Sequence, residues 1–229
     1  MSDTPWLTII GLGEDGPDGL PPASLAALRE AEIVMGAERH LALVPDVTAE
    51  RITWPVPFAD GIPQLLAQKH KRVVALASGD PFWFGAGTSI TKHLTPGEWT
   101  ALPGPSTFSL AAARMGWPLE NTPCFGLHAA PLSRLRPALA EGQRGIVLLR
   151  DGAAVAALAV YLAEEGFGAS ELTVMEALGG PRERLTQARA DGLPGIGLQH
   201  PVCVAMQVSG DGPALPLAWH CWRLNGCRS

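Results

Sequence analysis

Residues 73–85 read Val73-Val74-Ala75-Leu76-Ala77-Ser78-Gly79-Asp80-Pro81-Phe82-Trp83-Phe84-Gly85. Five consecutive apolar residues without polar alternation predict a strand covered on both faces, the pattern of a parallel sheet. The run stops at Ser-Gly-Asp-Pro, which builds a tight loop. Glycine permits close backbone approach, aspartate offers an acceptor, and proline stiffens the exit. Open α/β sheets bind ligands at carboxyl edges of this kind. The stretch therefore predicts both the fold class and the place of a small-molecule site.

A second glycine-rich edge lies upstream. Trp6-Leu7-Thr8-Ile9-Ile10 reads as a short strand and runs into Gly11-Leu12-Gly13-Glu14-Asp15-Gly16. These letters match the G-x-G-x-x-G dinucleotide fingerprint, whose loop must open directly into a helix facing the phosphates. Here Pro17-Asp18-Gly19-Leu20-Pro21-Pro22 intervenes and the helical pattern starts only near Ala23. Glu14, Asp15 and Asp18 would also repel a phosphate. The loop reads either as a backbone approach to some other ligand or as a plain strand-to-helix turn.

Outward from these two edges, strands and helices alternate. Helical patterns cover 23–32, 37–43, 62–70, 85–94 and 106–115, the last N-capped near Ser106, with strands at 33–35 and 99–102. This alternation predicts a largely parallel sheet. The pattern breaks at Gly116-Trp117-Pro118-Leu119-Glu120-Asn121-Thr122-Pro123, which places a domain boundary between residues 119 and 120. A second α/β domain spans 120–217, with strands at 145–149, 172–177 and 202–208 and a helix at 153–165. A further strand follows the Gly179-Gly180-Pro181 turn. Residues 218–229, with two tryptophans and two cysteines, read as an irregular tail, and a non-native origin is one reading of them.

Composition bounds the class. A chain of 229 residues with 47% apolar content is globular, and no apolar run is long enough for a membrane span, so cytoplasm is the default compartment. A net charge of −5 argues against a nucleic-acid partner. Cys124 and Cys203 read as small core residues, and no His/Cys cluster has metal-ligand spacing.

Three motifs in order resemble the tetrapyrrole (corrin/porphyrin) methyltransferase family. They are Gly11-Leu12-Gly13 after the first strand, Ser78-Gly79-Asp80-Pro81, and Pro103-Gly104-Pro105-Ser106-Thr107 leading to Gly116-Trp117-Pro118-Leu119. Within the family, Phe125-Gly126-Leu127-His128 and Val174-Met175-Glu176-Ala177-Leu178-Gly179-Gly180-Pro181-Arg182-Glu183 resemble members that methylate precorrin-6B on the way to cobalamin. In those members an N-terminal domain methylates C5, and a separate C-terminal domain handles C15 and a decarboxylation. The resemblance implies that this chain corresponds to the first of these domains and that the C-terminal methyltransferase/decarboxylase domain is absent from it.

The resemblance implies two α/β domains with five-stranded sheets, a ligand cleft between them, and a homodimer. It implies S-adenosylmethionine as methyl donor and S-adenosylhomocysteine as product, and the lack of a ligand cluster adds the expectation that no metal takes part. Donor contacts carry over onto Gly11, Leu12, Gly13, Ser78, Gly79, Asp80, Ser106 and Thr107, with Leu149 and Ala205 as second-domain candidates. His128 is the candidate catalytic base. Arg114, Arg150, Glu176 and Arg182 are candidates for holding a polycarboxylate substrate, Glu176 alternatively holding a backbone amide. Phe82-Trp83-Phe84 could stack on a macrocycle, with packing in the core or at a dimer interface the favoured reading. Two rival classes stay open: a dinucleotide-dependent oxidoreductase, and a non-catalytic partner module of a larger corrin enzyme.

Overall fold

The strand at the centre of the first sheet, β4 (Val73–Ser78), is buried along its whole apolar run, as a strand covered on both faces must be. The structure, a computed structural model, describes residues 5–193 and 197–214. The cysteines at 221 and 227 and the tail from 218 lie outside the described residues. Two compact units are resolved: one runs through Ser106 and includes Gly179–Pro181, and the other comprises Thr107–Leu178 and continues from Arg182.

In the first unit β4 is joined by β1 (Leu7–Leu12), β2 (Ile33–Gly36), β3 (Glu50–Thr53) and β5 (Trp99–Leu102). All pairings are parallel, in the order β3-β2-β4-β1-β5. Side chains alternate across the sheet with period 2. Leu7, Ile9, Met35, Val73 and Ala75 pack with Ile62 and Leu65 of α3 (Gly61–Leu66) and Ile90 of α4 (Gly87–Thr91). Ile10, Leu12, Val34, Val74 and Leu76 pack on the opposite face with Leu28 of α1 (Pro22–Glu30) and Leu41 of α2 (Glu38–Leu43). From β1 the chain crosses toward β2, on the far side of β4. From β4 it crosses to β5, on the far side of β1. The two carboxyl ends therefore send their loops in opposite directions, and β2, leaving toward β3, also departs opposite to β4, the arrangement at which open α/β sheets take ligands.

The second unit also carries five strands: β6 (Cys124–Gly126), β7 (Arg144–Leu149), β8 (Glu171–Glu176), β9 (Arg184–Arg189) and β10 (Val202–Gln207). Their order is β6-β7-β10-β8-β9, parallel at β6–β7 and antiparallel elsewhere. Parallel pairing predominates over the two sheets together but is concentrated in the first. α6 (Gly152–Glu164) is N-capped by Asp151, which accepts from the Ala154 amide at 2.8 Å. It buries Val155, Leu158 and Leu162 against Val147, Val174 and Val204. α5 (Thr107–Met115) covers the other face with Phe108, Ala111 and Ala112 against Ile146, Met175, Cys203 and Ala205. Because α5 lies in this core, the units divide after Ser106, ahead of the 119/120 division drawn from the sequence. Among the described residues no helix is long and apolar enough to cross a membrane.

Glycine backbones interlock at the carboxyl edge of the first sheet. The Gly79 amide donates to the Leu12 carbonyl and the Gly104 amide to the Gly79 carbonyl, both at 3.0 Å. A Cβ on Gly11 would overlap the Gly79 carbonyl oxygen and the Gly104 nitrogen, and one on Gly104 would sit 2.8 Å from the Gly11 oxygen. Gly79 itself has φ +53°, which favours glycine.

Gly11→Ala should therefore cost at least about 1–3 kcal/mol, the scale of overpacking a filled site. Gly192→Ala, where a Cβ meets nothing within 4 Å, should stay within about 0.5 kcal/mol of wild type. Urea unfolding of the two variants checks this. Equal midpoints would show that the three loops do not meet as described.

Candidate functional site

The predicted donor residues of the first unit converge on this edge. Gly11 and Leu12 end β1, Ser78 ends β4, and Gly79 and Asp80 follow it, with Gly104 and Ser106 beyond β5. Asp80 Oδ1 accepts from the Phe82 amide at 2.8 Å, closing an Asx turn that pins the loop. Its Oδ2 carries no hydrogen bond among the described residues and remains available to a ligand. Ser106 is buried, and the helix of the second unit begins at the next residue, Thr107.

The literal dinucleotide fingerprint does not fold as one. After β1 the chain makes a short turn over Gly16–Gly19, with Gly16 at φ +60°, and α1 starts only at Pro22. No α-helix N-terminus opens at these glycines, only a single 3-10 turn, so the physical requirement of a pyrophosphate loop is absent. Glu14 turns inward, 8% exposed, and pairs with Arg39.

Sequence reasoning missed two residues at this edge. Arg39 and His40 lie on α2 and meet the Ser78 hydroxyl, each at 2.9 Å. Gly36 makes this possible: a Cβ there would press on Leu76 at 3.0 Å and on His40 at 3.4 Å. The signal was present as Gly36-Ala37-Glu38-Arg39-His40 at the carboxyl end of the adjacent strand, a position that open α/β sheets use for ligands.

Packing of the aromatic run in the core or at a dimer interface was the favoured expectation, and within this chain the run does not fill the core. Phe82, Trp83 and Phe84 are 43%, 37% and 51% exposed, with Phe82 tilted against Trp99 at 5.5 Å. Tight coiling of the loop drives this: a Cβ on Gly85 or Gly87 would sit 2.6 or 2.7 Å from the Pro81 carbonyl oxygen.

The second-unit candidates do not form one cluster. Leu149 is buried under α6, while Ala205 is buried on the α5 face of the same sheet. His128 sits exposed in the turn after β6 and has no hydrogen-bond partner among the described residues, so nothing orients it as a base. Arg114 is forked onto Glu183 at 2.6 and 2.8 Å. Arg150 is exposed and bonded to Asp151, and Arg182 reaches Gln199 at 3.3 Å. Among the described residues no group of three or more His, Cys, Asp or Glu could hold a metal. Burial pushes the Cys203 thiol up to about 12 and the half-buried Cys124 thiol to about 11, which makes both inert packing groups.

Glu176 takes the amide-holding role of its two readings. It is 2% exposed, accepts the Arg184 fork at 2.6 and 2.9 Å, and receives the Gln199 amide at 2.6 Å. Burial opposes its ionisation, but the Arg184 and Gln199 hydrogen bonds outweigh that and hold the carboxyl below its ordinary value of 4.5. A depressed folded value means the stabilisation is fully present above about pH 4.5 and fades as pH falls through the folded value. Glu176→Gln should therefore cost about 2 kcal/mol at neutral pH and progressively less in acid. Thermal unfolding across pH 3–7 reads it, and a pH-independent difference would refute the ionised pair.

Comparison with known proteins fits this geometry. The family described as Tetrapyrrole (Corrin/Porphyrin) Methylases matches residues 6–194. The chain is 43% identical over 219 residues to a Sinorhizobium protein named precorrin-6Y C(5,15)-methyltransferase [decarboxylating], covering 94% of this chain and 53% of that one. It is 34% identical over 110 residues to a Salmonella typhimurium cobalt-precorrin-7 C(5)-methyltransferase, covering 48% of this chain and 55% of that one. The match thus spans about half the length of each of these relatives. Uroporphyrin-III C-methyl transferase from Thermus thermophilus, solved with S-adenosyl homocysteine, shares the fold at a TM-score of 0.67 and 22% identity, over 88% of this chain and 91% of that one. With strand-edge glycine loops in the predicted order and a match running through both units, the chain belongs to the tetrapyrrole (corrin/porphyrin) methylase family.

Proposed function

We propose that this chain is an S-adenosylmethionine-dependent C-methyltransferase that methylates a meso carbon, C5, of precorrin-6B in cobalamin biosynthesis. It works in the cytoplasm as a homodimer. The observation that carries this reading is the interlocked edge of β1, β4 and β5, which presents Ser78, Gly79 and Asp80 at the crevice of a parallel sheet. The relatives' names support the substrate class and the C5 position.

The residues present fit a cationic methyl donor better than a dinucleotide. Asp80 keeps one carboxylate oxygen open, and the bare backbone of Gly79 allows close approach. A pyrophosphate would find no α-helix N-terminus behind Gly11–Gly16. When bound, S-adenosylmethionine supplies an electrophilic methyl group on a sulfonium sulfur. Asp80 and Ser78 orient that ligand, and the fixed glycine backbones hold it without reorganisation. A reduced tetrapyrrole meso carbon is already enamine-like, so alignment in a dry site is the protein's main contribution. Proton loss after transfer needs a base, for which His128 stays the candidate. Arg150 and Arg182 are the candidates for the substrate carboxylates, Arg114 being already forked onto Glu183.

S-adenosylhomocysteine should bind after exhaustive EDTA treatment, whereas NADP should not. Affinity that vanished with EDTA and returned with a divalent ion would overturn the metal-free site. Asp80→Ala should weaken that binding by about 1–3 kcal/mol in a folded protein. Part of the loss comes through the loosened Phe82 turn; an unchanged affinity leaves Asp80 only its loop-pinning role.

Mass spectrometry of the product from precorrin-6B should show one added methyl and no loss of carbon dioxide. C5 and C15 lie on opposite sides of a rigid macrocycle, and one site with one fixed donor aligns a single carbon. Two added methyls with decarboxylation would refute this division of labour, and no turnover with intact donor binding would favour the partner-module reading.

A further inference from the structure

α2 brings two neighbouring side chains to the carboxyl end of β4. Arg39 Nη2 donates to Ser78 Oγ at 2.9 Å, and His40 Nε2 lies 2.9 Å from the same oxygen. Arg39 Nη2 and His40 Nε2 are themselves 3.0 Å apart. The other arm of the guanidinium is paired with the buried Glu14 carboxylate, which fixes its plane.

The tautomer of His40 decides which way the contact with Ser78 runs. A guanidinium donates and never accepts, which favours the tautomer whose single Nε2 lone pair faces the Arg39 and Ser78 hydrogens together, the ring proton being on Nδ1. In that tautomer the 2.9 Å contact with Ser78 runs from the hydroxyl to the ring. One Ser78 lone pair takes the Arg39 hydrogen. The other is left for the exposed side of the hydroxyl, at the strand edge beside Gly79 and Asp80.

We propose that Arg39 and His40 are positioning residues that hold the Ser78 hydroxyl as a hydrogen-bond acceptor for an N–H or O–H group of the methyl donor. Without them the hydroxyl rotates freely and offers its own hydrogen to a donor group as often as a lone pair. A proton-accepting role for His40 is opposed by the same geometry, because a second positive charge would form 3.0 Å from the guanidinium. The proposal rests on the donor-binding reading above.

Titration calorimetry of the full chain with S-adenosylhomocysteine tests it. Wild-type binding is the gate: without it the donor-binding reading itself fails, and the positioning proposal with it. Given wild-type binding, His40→Leu should weaken affinity about tenfold, the scale of one hydrogen bond to a polar ligand group. His40→Gln, whose Oε1 can take the place of Nε2, should stay within about threefold of wild type. Ser78→Ala should lose about tenfold by itself, and His40→Leu should add nothing in that background. Equal affinities for the Leu and Gln variants, or losses that multiply in the double variant, would overturn the assignment. If His40→Leu does not fold, His40→Asn takes its place in the cycle, since its shorter amide stops short of Ser78.

Discussion

Three stretches of main chain cross at the carboxyl edge of the first sheet with no room for a side chain between them. Gly11, Gly79 and Gly104 touch through backbone atoms, and the Leu12 and Gly79 carbonyls accept the amides that tie the loops together. A contact made of backbone has few ways to relax, because peptide groups are planar and φ/ψ space is mostly closed. The directions of Ser78 and Asp80 are thereby set before any ligand arrives. Such preorganisation is the form of help that a methyl transfer between two preformed reactive groups can use.

The topology explains why this edge, rather than another, carries the site. In the order β3-β2-β4-β1-β5 the chain leaves β1 and β2 toward one edge of the sheet and β4 toward the other, so the direction of exit changes on both sides of β4, the condition under which open α/β sheets take ligands. α2, reached from β2, stands beside the end of β4. Its first turn places Arg39 and His40 on Ser78, and Glu14 from the β1 loop neutralises the guanidinium. Buried charge is costly without a partner. Here the paired guanidinium also reaches the Ser78 hydroxyl.

The second unit uses the same device for a structural end. Glu176, as deeply buried as the apolar residues around it, joins Arg184 on the edge strand β9 to the Gln199 amide. The carboxylate accepts both groups, so none of the three is buried without a partner. Motif resemblance drew attention to Glu176, and the structure explains its burial without a ligand. Arg114 is likewise held by Glu183.

Sequence alone determined the parallel α/β character of the first half and the place of its ligand edge. It did so because unbroken apolar runs ending in Gly, Asp and Pro have few other physical solutions. The strands β1, β2, β4 and β5 and helices α1, α5 and α6 were legible for that reason. β3 was not: Glu50-Arg51-Ile52-Thr53 is a polar edge strand whose pairing with β2 is decided by its neighbour. β6 is three half-buried residues with too short a period to read. The antiparallel ladders of the second sheet and the membership of α5 in that unit are long-range pairings, and local pattern carries no information on them. The site divided along the same line. Glycine loops announce themselves in sequence because they are local, whereas Glu14, Arg39, His40 and Ser78 meet only because the sheet order sets β1, β2 and β4 side by side.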